Sequence, residues 1–378
     1  MDKLHTMTSP VPPASSRQFS KVSGIFDAEI HASVERSAMV ARMPEKYRSR
    51  CMAGYHAHGY LNFDQRGGGY RRDVESMEAA SPEGIRRSVL DRYSTRFALL
   101  TGTSYEASIY PDREYCNAFA SAYNGALVED FAEKDKALLA SIQLNFNDPP
   151  AALREIARWA DHPRVAAIIT STASTETPGS RRYDPIFAAA AEAGLVIAYH
   201  TTAEGRSLCP PPTSAGYPSR YIEYHSALAT GAIGHASSLL THGVFARYPD
   251  LRVLYLEGGI AWALPLMWML DQDWRRFRDE VPDLKEPPSH YLRHHMYFTT
   301  QPIEEPERGD DLLAVYEQVG LDRNIVYSTD FPHWDFDDPE HFLPSCFSQA
   351  QRDRILWDNA AALFSSKVGP LLAKEDGK

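Results

Sequence analysis

Residues 324–334 read Asn324-Ile325-Val326-Tyr327-Ser328-Thr329-Asp330-Phe331-Pro332-His333-Trp334. The run from Asn324 to Thr329 is short and mostly apolar, the pattern of a buried strand. It ends in Asp330, and a carboxylate at the tip of such a strand is costly to bury unless something positive meets it. Leu195-Val196-Ile197-Ala198-Tyr199 repeats the pattern and ends in His200. Val22 to Phe26 runs into Asp27-Ala28-Glu29-Ile30-His31. Three separated strands thus carry Glu29, His31, His200 and Asp330 at their tips. Two imidazoles and two carboxylates form a ligand set for one divalent metal ion.

Outward from these runs, the apolar pattern predicts strands over 22–30, 96–101, 138–144, 165–171, 195–200, 251–257, 294–300 and 324–330. Helical periodicity predicts helices over 113–133, 149–161, 184–193, 234–248, 262–280, 309–319, 340–350 and near 355–366. Eight strands with helices between most of them suggest an α/β fold of the parallel (β/α)8 TIM-barrel type. Residues 1–20, rich in Ser and Pro, read as a flexible tail. Residues 21–378 then form a single barrel domain. Two long loops interrupt it, at about 32–92 and 201–233. Active sites of such barrels lie at the C-terminal strand ends, among the βα loops, so both insertions are expected to cover substrate.

Composition bounds the partners. The chain has 378 residues, 43% of them hydrophobic, a net charge of −11 and a pI near 5.7. The acidic balance argues against nucleic acid or an anionic membrane as main partner. No apolar stretch reaches membrane-spanning length, and the N-terminus has no long apolar core of a secretory signal. Cys51, Cys116, Cys209 and Cys346 are far apart and form no CxxC pair, which fits reduced thiols. These features point to a soluble protein of the cytoplasm acting on a small molecule.

Other residues bear on the pocket. His333 and Trp334 follow Asp330 directly and are expected to line it, His333 as a catalytic group and Trp334 against the substrate. Gln65-Arg66-Gly67-Gly68-Gly69-Tyr70-Arg71-Arg72 places Arg66 and Arg71 beside a glycine turn, and guanidinium forks suit a substrate carboxylate. A solvated basic loop is the plainer reading of the same stretch. His56 and His58 form a second His-x-His, but in a polar insertion with no preceding strand. His225, His235 and His242 lie before the sixth strand, and His225 is the one expected to reach substrate. Tyr217, Tyr221 and Tyr224 supply aromatic surface there.

The Glu29-Ile30-His31 segment, His200 after a fifth strand and Ser328 to Trp334 resemble the amidohydrolase superfamily. The closest resemblance is to its amidohydrolase-2 group, which includes aminocarboxymuconate-semialdehyde decarboxylase and related aromatic-acid decarboxylases. Gly243 to Arg252, Leu256-Glu257-Gly258-Gly259-Ile260-Ala261-Trp262, Tyr183-Asp184-Pro185 and Asp358-Asn359-Ala360 are similar in style, in order across residues 22–366. The resemblance implies a distorted barrel with one catalytic metal held by Glu29, His31, His200 and Asp330, with Asp330 also an acid/base group. Two departures matter. Val165 to Ser171 holds no lysine, so the bridging carbamylated lysine of two-metal relatives is not expected. After the sixth strand, where many of the decarboxylases carry a histidine, this chain carries Glu257. Family analogy also suggests a homodimer.

The reading that follows is a metal-dependent hydrolase. One divalent ion, zinc with manganese as the alternative, activates a water that attacks a carbonyl-type carbon of a small, aromatic-sized substrate. Asp330 accepts the proton and Glu257 assists. The alternatives are non-oxidative decarboxylation of an aromatic or unsaturated acid, or metal-assisted cyclisation of an aromatic ester or amide.

Overall fold

The computed structural model describes residues 24–53, 76–102, 106–201, 204–205 and 207–376. The apolar runs form eight strands: β1 (Ile25–Ile30), β2 (Thr95–Leu100), β3 (Leu138–Gln143), β4 (Val165–Ser171), β5 (Val196–His200), β6 (Val253–Leu256), β7 (Met296–Thr299) and β8 (Ile325–Val326). Each pairs in parallel with the next, in sequence order. Closure comes from β1 and the segment after β8: the Ala28 amide donates to Tyr327 O at 2.9 Å and the His31 amide to Phe331 O at 2.8 Å. The molecule is a TIM-type barrel with long βα loops, as the strand count suggested.

Two hydrophobic layers hold it. Alternate residues of the strands, among them Phe97 and Leu99, Ala167 and Ile169, Val196 and Ala198, and Leu254 and Leu256, form one cluster with Phe26, Leu139, Tyr297 and Val326. A cluster drawing on all eight strands of a closed barrel can only be its interior. Trp357, Leu363 and Phe364 of the C-terminal segment join it, with Phe364 stacked on Phe26 at 5.2 Å between ring centroids. The second, larger cluster joins the strands to the surrounding helices. Phe364→Ala is expected to destabilise the protein by about 3–5 kcal/mol, because the ring is fully buried and its neighbours cannot close the gap. A denaturant midpoint near that of the parent would contradict this.

Helix starts follow local chemistry. Asp112 caps Arg113–Leu127 by accepting the Tyr115 amide at 3.1 Å, and Asp148 caps Pro149–Trp159 through the Ala151 amide at 3.3 Å. Three expectations need correction. No helix spans 340–350; Pro344 interrupts that stretch, and the helix begins at Gln349 behind a Ser348/Gln351 capping box. The helix placed at 234–248 starts earlier, as Ala229–Thr241, and is broken where Gly243 takes φ +66°. Helices Pro288–His295 and Ser365–Asp376 were not anticipated over these ranges. The first long insertion contains helices Arg36–Arg42 and Glu45–Ala53, and the second contains Tyr221–His225. Tyr55 to Tyr60, Arg66 and Arg71 lie outside the described residues. No helix among the described residues is long and apolar enough to cross a membrane.

Candidate metal centre

Four expected residues meet at the barrel mouth, and Glu257 joins them. Glu29 sits near the end of β1, where the ladder register shifts between Asp27 and Ile30, a kind of irregularity that re-aims side chains beside functional sites. His31 follows β1, His200 ends β5, Glu257 follows β6 and Asp330 follows β8. His31 Nε2 lies 2.7 Å from Asp330 Oδ1, 3.0 Å from Glu257 Oε1 and 3.7 Å from Glu29 Oε1. His200 Nε2 lies 2.9 Å from Glu257 Oε1 and 3.3 Å from Glu29 Oε1. His333 Nδ1 lies 2.7 Å from Asp330 Oδ1 and 3.7 Å from Glu257 Oε1. Glu29, Asp330, His31 and His200 are buried, whereas the His333 side chain is 31% exposed and so faces the opening.

Backbone groups fix how these side chains point. His31 Nδ1 donates to the Gly102 carbonyl at 2.6 Å, and His200 Nδ1 to the Thr201 carbonyl at 3.1 Å. Both rings therefore turn Nε2 toward the carboxylates, the usual arrangement of an imidazole prepared for a cation. Gly102 adopts φ +76°, and a Cβ there would run into the Tyr123 hydroxyl, so only glycine supplies this carbonyl. Glu257 and Asp330 are non-glycine residues at φ +51° and +58°. Such left-handed backbone costs of order 1–3 kcal/mol and persists when its surroundings dictate it. For Glu257 the surroundings are β7 and the residue after β5: its amide donates to Thr299 Oγ1 at 3.4 Å and its carbonyl accepts from Thr201 Oγ1 at 3.2 Å.

Electrostatics express the same crowding. Burial pushes the Glu29 carboxyl up to about 7, opposed by His200. Burial, then the charge of Glu257, push Asp330 up to about 6. Burial works against the charged form of His200, but the Glu257 carboxylate and then Glu29 outweigh it and raise the imidazole to about 10. His333 is raised well above the ordinary histidine range, Asp330 overcoming the burial that opposes it. Glu257 is held well below the ordinary range, its burial outweighed by His200.

The donor set fits a divalent ion. One ligand atom from each of Glu29, His31, His200 and Glu257 lies within 4.8 Å of the others, and the same holds for His31, Glu257, Asp330 and His333. Ligands at about 2.0–2.2 Å from one ion stand roughly 3–4 Å from each other, close to the separations found here. Among the described residues, Glu29 Oε2 is buried and accepts no hydrogen bond. A carboxylate left in that state calls for a cation.

The rest of the mouth is aromatic. Trp334 Nε1 donates to the Tyr221 hydroxyl at 3.1 Å, and His225 Nε2 meets Asp335 Oδ2 at 3.1 Å. The His225 ring stacks on Tyr221 at 5.5 Å and approaches Trp334 at 5.7 Å. The second insertion is thereby latched to the loop after β8. Trp334 directly follows His333, so this wall borders the cluster. Asp335 and Gly102 escaped the sequence reading; nothing in their local pattern marks them. His242 merely follows helix Ala229–Thr241.

His235 points elsewhere, against Tyr199 at 4.8 Å and Ser174 at 3.4 Å. Burial lowers it to about 3. Its folded value lies below the unfolded one of about 6.5, so its contribution to stability is complete above that pH and is lost as pH falls from about 6.5 toward 3. The loss is on the order of several kcal/mol in full. His235→Gln is expected to flatten the fall in denaturant stability between pH 6.5 and 4; parallel pH curves for parent and variant would refute it.

The similarities to known proteins agree with this geometry. Solved structures that superpose on the chain include an amidohydrolase from Mycobacterium avium subsp. paratuberculosis K-10, with a TM-score of 0.71 and 19% identity over 91% of this chain and 100% of that one. A dihydroxybenzoic acid decarboxylase from Polaromonas sp. JS666, with bound manganese and 2-nitroresorcinol, has a TM-score of 0.61 and 20% identity over 90% and 97%. A 5-carboxyvanillate decarboxylase from Sphingomonas paucimobilis has a TM-score of 0.62 and 18% identity over 90% and 99%. At these identities the likeness is one of fold. No curated protein matches the sequence. The amidohydrolase family model matches residues 88–365, most of the chain, and the protein is a member of the amidohydrolase family.

Proposed function

We propose that the protein is a metal-dependent, non-oxidative decarboxylase of a small aromatic acid. Glu29, His31, His200 and Asp330, with Glu257, would hold one divalent ion. The ion would neutralise the clustered carboxylates and anchor the oxygen atoms of the substrate as a Lewis acid. Three carboxylates against two imidazoles make an oxygen-rich set, which favours manganese over the zinc expected from the sequence.

The observation that carries this reading is the Asp330–His333 pair at 2.7 Å on the open side of the cluster, facing an aromatic wall. Loss of carbon dioxide from an aromatic ring requires a proton at the carbon that held the carboxylate. His333, paired with Asp330 and open to the mouth, is placed to deliver it from its protonated form; the ring carbon gains that proton, the C–C bond breaks, and solvent reprotonates the imidazole. Tyr221, His225 and Trp334 would stack against the ring and keep it in line. The solved decarboxylases of the same fold add support by analogy. The order of the two readings made from sequence is thus reversed.

Hydrolysis is the second reading, and Glu257 favours it, because a carboxylate after β6 is a better proton acceptor than donor. One experiment separates them. Protein loaded with manganese or zinc is incubated with hydroxybenzoic acids and, separately, with aromatic esters, amides and lactones. The decarboxylase reading expects carbon dioxide and the parent phenol from the acids. Release of carboxylate from the second set, with no carbon dioxide from the first, would establish hydrolysis instead.

A further inference from the structure

The β7–β8 ladder ends at Val326, four residues before Asp330. Closure against β1 beyond that point rests on isolated backbone bonds rather than a continuous ladder. Yet Asp330 has to meet His31 and Glu29 across this seam, on a left-handed backbone that strand pairing does not support. One buried side chain spans the gap. Asp27 Oδ2 accepts the Thr329 hydroxyl at 2.6 Å. Asp27 Oδ1 accepts the Thr329 amide at 3.0 Å and the Glu29 amide at 3.2 Å. Thr329 Oγ1 in turn accepts the Phe331 amide at 3.1 Å. Asp27 and Thr329 are 0% and 1% exposed, so no water substitutes for these bonds.

We propose that Asp27 and Thr329 are positioning residues for the metal centre: together they set the separation between Glu29 on one side of the barrel seam and Asp330 on the other. Their polar atoms grip the backbone immediately next to both ligands, and neither side chain belongs to the clustered ligand groups. The bridge would act on metal affinity and ligand geometry more than on folding. This rests on the metal reading above, since it is a claim about how that ion is held.

The test uses metal-stripped full-length protein and cobalt(II) as probe, read by competition with a chromophoric chelator and by the d–d absorption of the bound ion. Thr329→Val keeps the shape and loses the hydroxyl; Thr329→Ser keeps the hydroxyl and loses a methyl group. The Val variant is expected to bind cobalt about 10–100-fold more weakly, with altered d–d bands, and the Ser variant to stay within about threefold of the parent. A role in packing alone would reverse that order, because Ser leaves a cavity and Val does not. Asp27→Asn, which retains Oδ1 for the two amides, provides a second test should the Val variant not fold; weaker binding with altered bands supports the proposal. Cobalt affinity and spectra equal to the parent's in whichever of these variants folds would overturn it. A parent that takes up no divalent ion would instead bring down the metal reading itself, and this inference with it.

Discussion

Asp330→Asn is expected to lower turnover by about 10³-fold or more while the fold survives. The residue sits where three demands coincide. Its Oδ1 lies 2.7 Å from both His31 Nε2 and His333 Nδ1, and the side chain is 1% exposed. An amide of the same shape still fills the space, so packing around Phe331 and Tyr327 is unchanged. It removes the negative charge that favours the protonated form of His333 and that would help bind the cation. If the amide nitrogen turns toward His333 it opposes that ring's N–H; if the oxygen does, the interaction is weakened to roughly half its strength. Steady-state rates of the metal-loaded variant, elemental analysis and far-UV circular dichroism check the prediction together. A native spectrum with near-full rate would remove Asp330 from the mechanism. A native spectrum with lost rate and retained metal would assign it chiefly to proton handling through His333.

Glu257→Gln tests the residue whose place in the site was least secure from sequence. From sequence it is expected to assist Asp330 in proton transfer and is not among the four metal ligands. In the structure Oε1 lies 3.0 Å from His31 Nε2 and 2.9 Å from His200 Nε2. The neutral amide is expected to weaken binding of the divalent ion by on the order of 10²-fold, as removal of one charged member of a ligand set does. Titration of stripped protein with manganese measures this directly. Unchanged affinity would return Glu257 to a substrate or structural role. Unchanged affinity with selective loss of ester or amide hydrolysis would favour the hydrolytic reading.

Much of the barrel was legible because its strands are buried on both faces. Continuous apolar runs such as Leu195 to Tyr199 have few other uses, and turn residues bound them. The helix errors have local causes. The stretch 340–350 is helix-like in composition, but Pro344 cannot donate an amide, and the true start at Gln349 is signalled by Ser348 and Gln351 three residues apart. Pro288 likewise marks the start of an unforeseen helix through its preset φ. Arg66 and Arg71, expected at the substrate, fall outside the described residues.

The barrel, the family, and the convergence of Glu29, His31, His200 and Asp330 were legible in the residues alone, because strand tips of a parallel barrel share one mouth whatever their separation along the chain. Which atoms meet at that mouth depends on the tertiary structure. It turned both imidazoles by their Nδ1 bonds to Gly102 and Thr201, drew Glu257 between them on a left-handed backbone, and linked Glu29 to Asp330 through Asp27 and Thr329. Those arrangements depend on hydrogen bonds between groups up to 302 residues apart, and on side-chain directions of a few ångströms' consequence, which no local pattern of residues encodes.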